Sequence, residues 1–167
     1  MPNWCNNEVT LRHKDPAMIE RAVKAYQEGK FLNEFIPMPQ ELLEGTGDGW
    51  YGWAVSNWGT KWDVGGRNEF IEQPDANTIE LRFDSAWSPP IEAYNQLVEM
   101  GFEIEAFYNE FGMAFAGSYT GAGEEVYDDC IEYGGWSADT IREELPDLDQ
   151  RFGISECLEE IQAENEE

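Results

Sequence analysis

Apolar and polar positions alternate, or recur at helical spacing, in a fixed order along this chain. In residues 8–12, Val9 and Leu11 share one side, the pattern of a half-buried strand. Asp15-Pro16 then supplies a capping side chain and a proline suited to a first helical turn. Ile19, Ala22, Val23 and Tyr26 follow at helical spacing, and Gly29 ends the run. Residues 77–84 read as the clearest strand, with Ile79, Leu81 and Phe83 opposite Glu80, Arg82 and Asp84. Ser88-Pro89-Pro90 opens a second helix, with Ile91, Tyr94, Leu97 and Val98 as its buried stripe and Gly101 as its stop. Phe102, Ile104 and Ala106 alternate with Glu103 and Glu105 in a further strand, and residues 112–119 read as its hairpin partner. Between these units lie residues 31–66, of which 31–39 are apolar but broken by two prolines. The stretch predicts a helical turn at residues 40–44 and a strand within 50–58.

The order strand, helix, loop or strand, strand, helix, strand, strand predicts an α+β fold of ferredoxin-like type. Its antiparallel sheet would carry two helices on one face. The expected domain spans residues 1–120, with a Trp-rich insertion near 31–66. Gly121-Ala122-Gly123 reads as a break before an acidic, mainly helical extension over 121–167. In that extension Ser137 or Asp139 serves as a cap for a helix bearing Ile141 and Leu145. A last helix carries Ile154, Cys157, Leu158 and Ile161 on one stripe.

Charge divides the chain unevenly. Residues 1–70 hold ten acidic and seven basic side chains, whereas residues 71–167 hold twenty-five acidic ones against Arg82, Arg142 and Arg151. A surface of this sign repels phosphate and attracts basic grooves over roughly a Debye length. It argues against direct nucleic-acid binding and for a partner that presents a basic groove. The contact candidates are Glu103 and Glu105, about 6.6 Å apart on one strand face, together with Glu124, Glu125, Asp128, Asp129 and Glu132. Glu143, Glu144, Asp147, Glu156, Glu159 and Glu160 complete the set. Such carboxylates could displace counterions from a basic groove as nucleic acid does. The alternatives are a solvated tail and a cation site, the latter without a calcium-loop motif.

Aromatic residues form a second constellation. Trp50, Trp53, Trp58, Trp62 and Trp87 lie close in sequence, and Asn57, Trp58, Lys61, Trp62 and Asp63 form a dense polar and aromatic loop. With Trp87 this loop could cradle a small ligand, or it could cover a sheet edge. A small-molecule binding protein or enzyme built on it is the alternative function. An RNA binder that stacks bases on the sheet is a third, disfavoured by the net charge of −25.

Catalytic and metal patterns are sparse. His13 is the single histidine, no CxxC is present, and Cys5, Cys130 and Cys157 are too few for a four-cysteine cluster. No cofactor, metal or catalytic residue is therefore expected. The odd, scattered cysteines, the lack of an apolar run long enough for a membrane span and the lack of a signal-like N-terminus predict a cytoplasmic protein with no membrane partner. A homo-oligomer stays open.

Four motifs occur in order: Met1-Pro2-Asn3-Trp4-Cys5-Asn6-Asn7, Phe31-Leu32-Asn33 with Ile36-Pro37-Met38-Pro39, residues 57–63, and Ala86-Trp87-Ser88-Pro89-Pro90. Over roughly residues 1–120 they resemble the signature stretches of the YubB-like ferredoxin-like family, found on bacterial plasmids, phages and prophages. The resemblance implies the same fold and a mobile-element setting, and it brings no catalytic residues. Such elements commonly encode small acidic proteins that block host defence nucleases. The expected role is accordingly an inhibitor of a host defence or other nucleic-acid-binding protein, acting by mimicry of nucleic-acid charge.

Overall fold

A computed structural model describes residues 2–45 and 47–166, so Met1 of the first motif lies outside the described residues. Six strands and eight helices follow in chain order among them. The strands are β1 (Trp4–Arg12), β2 (Phe70–Asp75), β3 (Thr78–Ala86), β4 (Glu103–Glu110), β5 (Phe115–Ala122) and β6 (Glu125–Glu132). They form one sheet in the order β2-β3-β1-β4-β5-β6, with every pair antiparallel.

Helix α1 (Pro16–Gln27) connects β1 toward β2, and α5 (Ile91–Glu99) connects β3 to β4. The four strands β2-β3-β1-β4 with these two helices make the ferredoxin-like unit, and the β5–β6 hairpin widens it. Asp15 caps α1 by accepting the Ala17 N–H at 3.0 Å, as its sequence position predicts. Val9, Leu11, Ile79, Leu81, Ile104 and Ala106 point from the sheet to meet Ile19, Tyr26, Tyr94 and Leu97 in the main core. The Tyr26 hydroxyl is 2.9 Å from the carbonyls of both Phe70 and Arg82, which ties α1 to the β2–β3 pair.

The insertion folds as α2 (Phe31–Phe35), α3 (Gln40–Glu44) and α4 (Gly49–Asn57). The strand expected within 50–58 is therefore a helix. Trp50, Trp53 and Ala54 of α4, with Trp58 at its C-terminal cap, pack on the main core. Tyr51 and Val55 on its outer side are also apolar and exposed, so no one-sided stripe marks the helix in the sequence.

Two edges of the sequence reading also shift. The hairpin partner of β4 begins at Phe115, because Gly112 to Ala114 form the turn and Met113 is exposed. The buried Glu110 carboxylate closes that turn by accepting the N–H groups of Gly112 and Met113. The expected break at Gly121–Gly123 is instead the end of β5 and the β5–β6 turn, where Gly123 has φ +61°. The extension thus begins with a strand, and then turns helical in α6 (Ala138–Glu144), α7 (Pro146–Phe152) and α8 (Ile154–Glu166).

These three helices pack on the other face of the sheet. Ile141, Leu145, Leu148 and Ile154 meet Ala116 and Tyr133 in a second core, with Phe107 and Ile131 at its margin. Ser137, rather than Asp139, caps α6 by accepting the Thr140 N–H. Pro146 separates α6 from α7, and the Asp149 carboxylate takes both the N–H and the hydroxyl of Ser155, each at 2.7 Å, to start α8.

Gly117 of β5 holds the extra hairpin in place. Tyr108 lies across it from β4 and donates its hydroxyl to Asp128 Oδ1 of β6 at 2.9 Å. A Cβ on Gly117 would sit 2.5 Å from that hydroxyl and also collide with the Asp129 carbonyl. Gly117→Ala is expected to destabilise the fold by about 1–3 kcal/mol through forced displacement of Tyr108 or β6. The urea midpoint measures this.

Candidate functional site

The sheet face that bears α6–α8 is covered only toward one end. Its uncovered part is built from outward positions that the register aligns across strands. One row runs Glu80, Thr10, Glu105, Thr120, Tyr127, and the next runs Arg82, Glu8, Phe107, Ser118, Asp129. A third begins Thr78, Arg12, Glu103. The strand pleat puts Glu103 and Glu105 together with Glu125 and Asp129 on this face.

Two grooves gather predicted carboxylates there. Glu105, Glu124 and Glu125 line one of about 540 Å³, beside Arg12, Thr120 and Tyr127. Asp129, Glu144 and Asp147 line a second of about 230 Å³, over an apolar floor of Phe107, Ile131, Leu145 and Leu148. Between the C-terminal helices and β2 lies a third space of about 340 Å³, walled by Glu8, Glu80 and Glu105 with Arg12, Arg82 and Arg151.

The arginines of the acidic half are engaged inside the molecule. Arg151 contacts Glu8 at 3.0 Å and Asp147 at 3.2 Å, with its guanidinium 3.6 Å from the Phe107 ring centroid. Burial pulls the Arg151 pKa down, but Glu8 and Asp147 outweigh it and the net shift is upward. Arg82 lies 3.7 Å from Glu8 and stacks on Phe70. Arg142 pairs with Glu159 at 2.6 Å and with Asp139 at 3.3 Å. Asp147 and Glu159 are thus neutralised locally. Glu103, Glu105, Glu124, Glu125, Asp129 and Glu144 have no ion-pair partner among the described residues.

The predicted acidic set does not share one plane. Asp128 and Glu132 point to the opposite side of β6, because strand neighbours alternate. Glu143, Glu156, Glu159 and Glu160 ride on the helices α6 and α8. The carboxylates divide among the open sheet face, the opposite side of β6 and the C-terminal helices. Sequence reasoning missed Glu8, Glu80 and Arg12 of the open face. Their alternation with Val9, Leu11, Ile79 and Leu81 was the available signal.

The tryptophan loop divides between fold and surface. Trp58 is buried and donates its indole N–H to the Ile36 carbonyl at 2.9 Å. Asp63 accepts the N–H groups of Leu32 at 2.6 Å, Asn33 at 2.9 Å and Val64 at 2.8 Å, so it caps α2 from a distance. Burial raises the Asp63 pKa, opposed by those three donors. Asn57 donates to the Trp53 carbonyl, and its own carbonyl accepts from Gln96. Those three predicted ligand residues are therefore committed to packing. Lys61, Trp62 and Trp87 reach the surface, where Lys61 Nζ lies 4.6 Å from the Trp62 ring and Trp62 packs against Trp4. Trp87 adopts φ +73°, held by its N–H to the Asn3 carbonyl at 2.8 Å.

Among the described residues, no group of three or more His, Cys, Asp or Glu side chains is arranged to hold a metal ion. No helix among them is long and apolar enough to cross a membrane. Burial, the largest influence, raises the pKa of Cys130 and pushes that of Cys5 well up, so neither thiol is activated.

Comparison with known proteins gives two matches. A family model described as the ferredoxin-like domain in Api92-like protein matches residues 58–150. That stretch includes β2 through β6 as well as α5, α6 and most of α7. Among solved structures, a crystal structure of a protein Api92 from Yersinia pseudotuberculosis is similar at 23% identity with a TM-score of 0.49. The alignment covers 62% of this chain and 39% of that one, so the chain spans well under half of that protein's length. No curated protein matches the chain.

Proposed function

This chain belongs to the family defined by the ferredoxin-like domain of Api92-like proteins, and from that footing we propose that it is a non-enzymatic binding protein whose carboxylates occupy a basic, nucleic-acid-binding groove on a partner. The resemblance of its four motifs to YubB-like proteins of phages and plasmids supports, as that partner, a host defence nuclease or related protein of the bacterial cytoplasm. The observation that carries this reading is the state of the arginines. Each basic side chain of residues 71–167 is tied into an internal pair, while Glu105, Glu124, Glu125, Asp129 and Glu144 line open grooves without one. Unpaired carboxylates at a protein surface attract cationic partners and keep phosphate away.

Salt dependence tests the reading. A bacterial lysate freed of nucleic acid is passed over the tagged chain, and partner retention is measured between 50 and 200 mM salt. Four or more carboxylate contacts that replace phosphate predict a loss of about a hundredfold across that range. Retention that does not change with salt contradicts it.

A further inference from the structure

Two strands form the open edges of this sheet, and they are built differently. β2 is six residues long, its register against β3 slips between Glu72 and Asp75, and Pro74 removes one N–H. Those are features that blunt an edge. β6 runs eight residues in unbroken register with β5 and contains neither proline nor glycine. Its residues from Glu125 to Cys130 are all exposed, including Val126 and Tyr127. β5 is its one sheet neighbour among the described residues. Alternate N–H and C=O groups along its other side therefore face outward, free to pair with another strand.

We propose that the β6 edge accepts an extended lysine- or arginine-rich segment of the partner as a seventh strand. This rests on the reading of the carboxylates as the partner-facing surface and adds the way in which the partner is held. Charge selects the occupant. A second copy pairing β6 to β6 would set Glu125, Asp128, Asp129 and Glu132 against acids, and β2 offers Glu72 and Asp75. Like charges directly opposite each other destabilise a strand pair. A basic strand reverses that on both faces at once, because Glu125 and Asp129 point to one side and Asp128 and Glu132 to the other. Charge on both faces of an exposed edge keeps like strands away, and on β6 the same acids suit a basic strand. Main-chain pairing would supply affinity and the alternating acids would supply selectivity.

Two peptides test this on the full chain. One is an eight-residue peptide of lysine, valine and threonine. The other is the same peptide N-methylated at two adjacent central residues, which keeps its charge but blocks one donor on each edge. Calorimetry at 50 mM salt is expected to show the unmethylated peptide binding about five- to tenfold more tightly, since whichever edge faces β6 loses one strand bond and carries a methyl group in its place. Hydrogen exchange should slow at alternate amides of β6. Equal binding of the two peptides without protection of β6 overturns strand addition while leaving the acidic-surface reading standing. If neither peptide binds, strand addition is likewise overturned, and the salt dependence of partner retention decides the acidic-surface reading separately.

Discussion

Replacing four unpaired carboxylates by amides, as Glu105→Gln, Glu125→Gln, Asp129→Asn and Glu144→Gln in one variant, is expected to weaken partner binding about a hundredfold at 50 mM salt. Exposed ion pairs contribute up to about 1 kcal/mol each, and four at about 0.7 kcal/mol combine to about 3 kcal/mol. These four side chains have no ion-pair partner within the chain among the described residues. They line the two grooves of the open face. The variant should fold as the parent does, because substitutions at such positions usually change stability by less than about 0.5 kcal/mol. Titration of the retained partner against both proteins measures the effect. A variant that binds as the parent does removes these residues from the interface.

Asp63→Ala is expected to act on stability alone. The carboxylate is the acceptor for the Leu32, Asn33 and Val64 N–H groups, and it anchors α2 to the loop that precedes β2. Three partly buried donors left without an acceptor at about 1 kcal/mol each predict a loss of about 3 kcal/mol. Asp63→Asn should fall between, since one amide oxygen can still accept while its NH2 opposes a donor. A lower urea midpoint with an unchanged slope, and unchanged partner binding, identifies a structural role. Loss of binding with stability intact would return the tryptophan loop to the functional site.

The contrast between these two sites follows from how they are written in the sequence. Strands β1, β3 and β4 and helices α1 and α5 are legible because each pairs one apolar stripe with one polar stripe. β2 is not, since only Ile71 is half-buried and Pro74 interrupts the pattern. β6 is exposed on both faces and has no alternation to read, so its acids looked like part of a helical extension. α4 is apolar on both sides, Trp50 and Ala54 inward and Tyr51 and Val55 outward, and so shows no helical stripe. In the site, Glu103 and Glu105 were readable as one face of a strand, because alternation fixes their side. Their alignment with Glu8, Glu80 and Asp129 depends on strand order and register, which arise from long-range pairing and leave no local trace. The role of Asp63 was hidden for the same reason: two of its three donors lie about thirty residues upstream.

Mimicry of nucleic-acid charge makes one demand that ordinary acidic surfaces do not meet, namely that the partner cannot hold duplex DNA and this protein at the same time. Adding a short DNA duplex to the preformed complex at constant ionic strength measures this directly. The account predicts that the partner leaves the tagged chain in proportion to the duplex it binds. A partner that takes up the duplex while staying on the chain would contradict it.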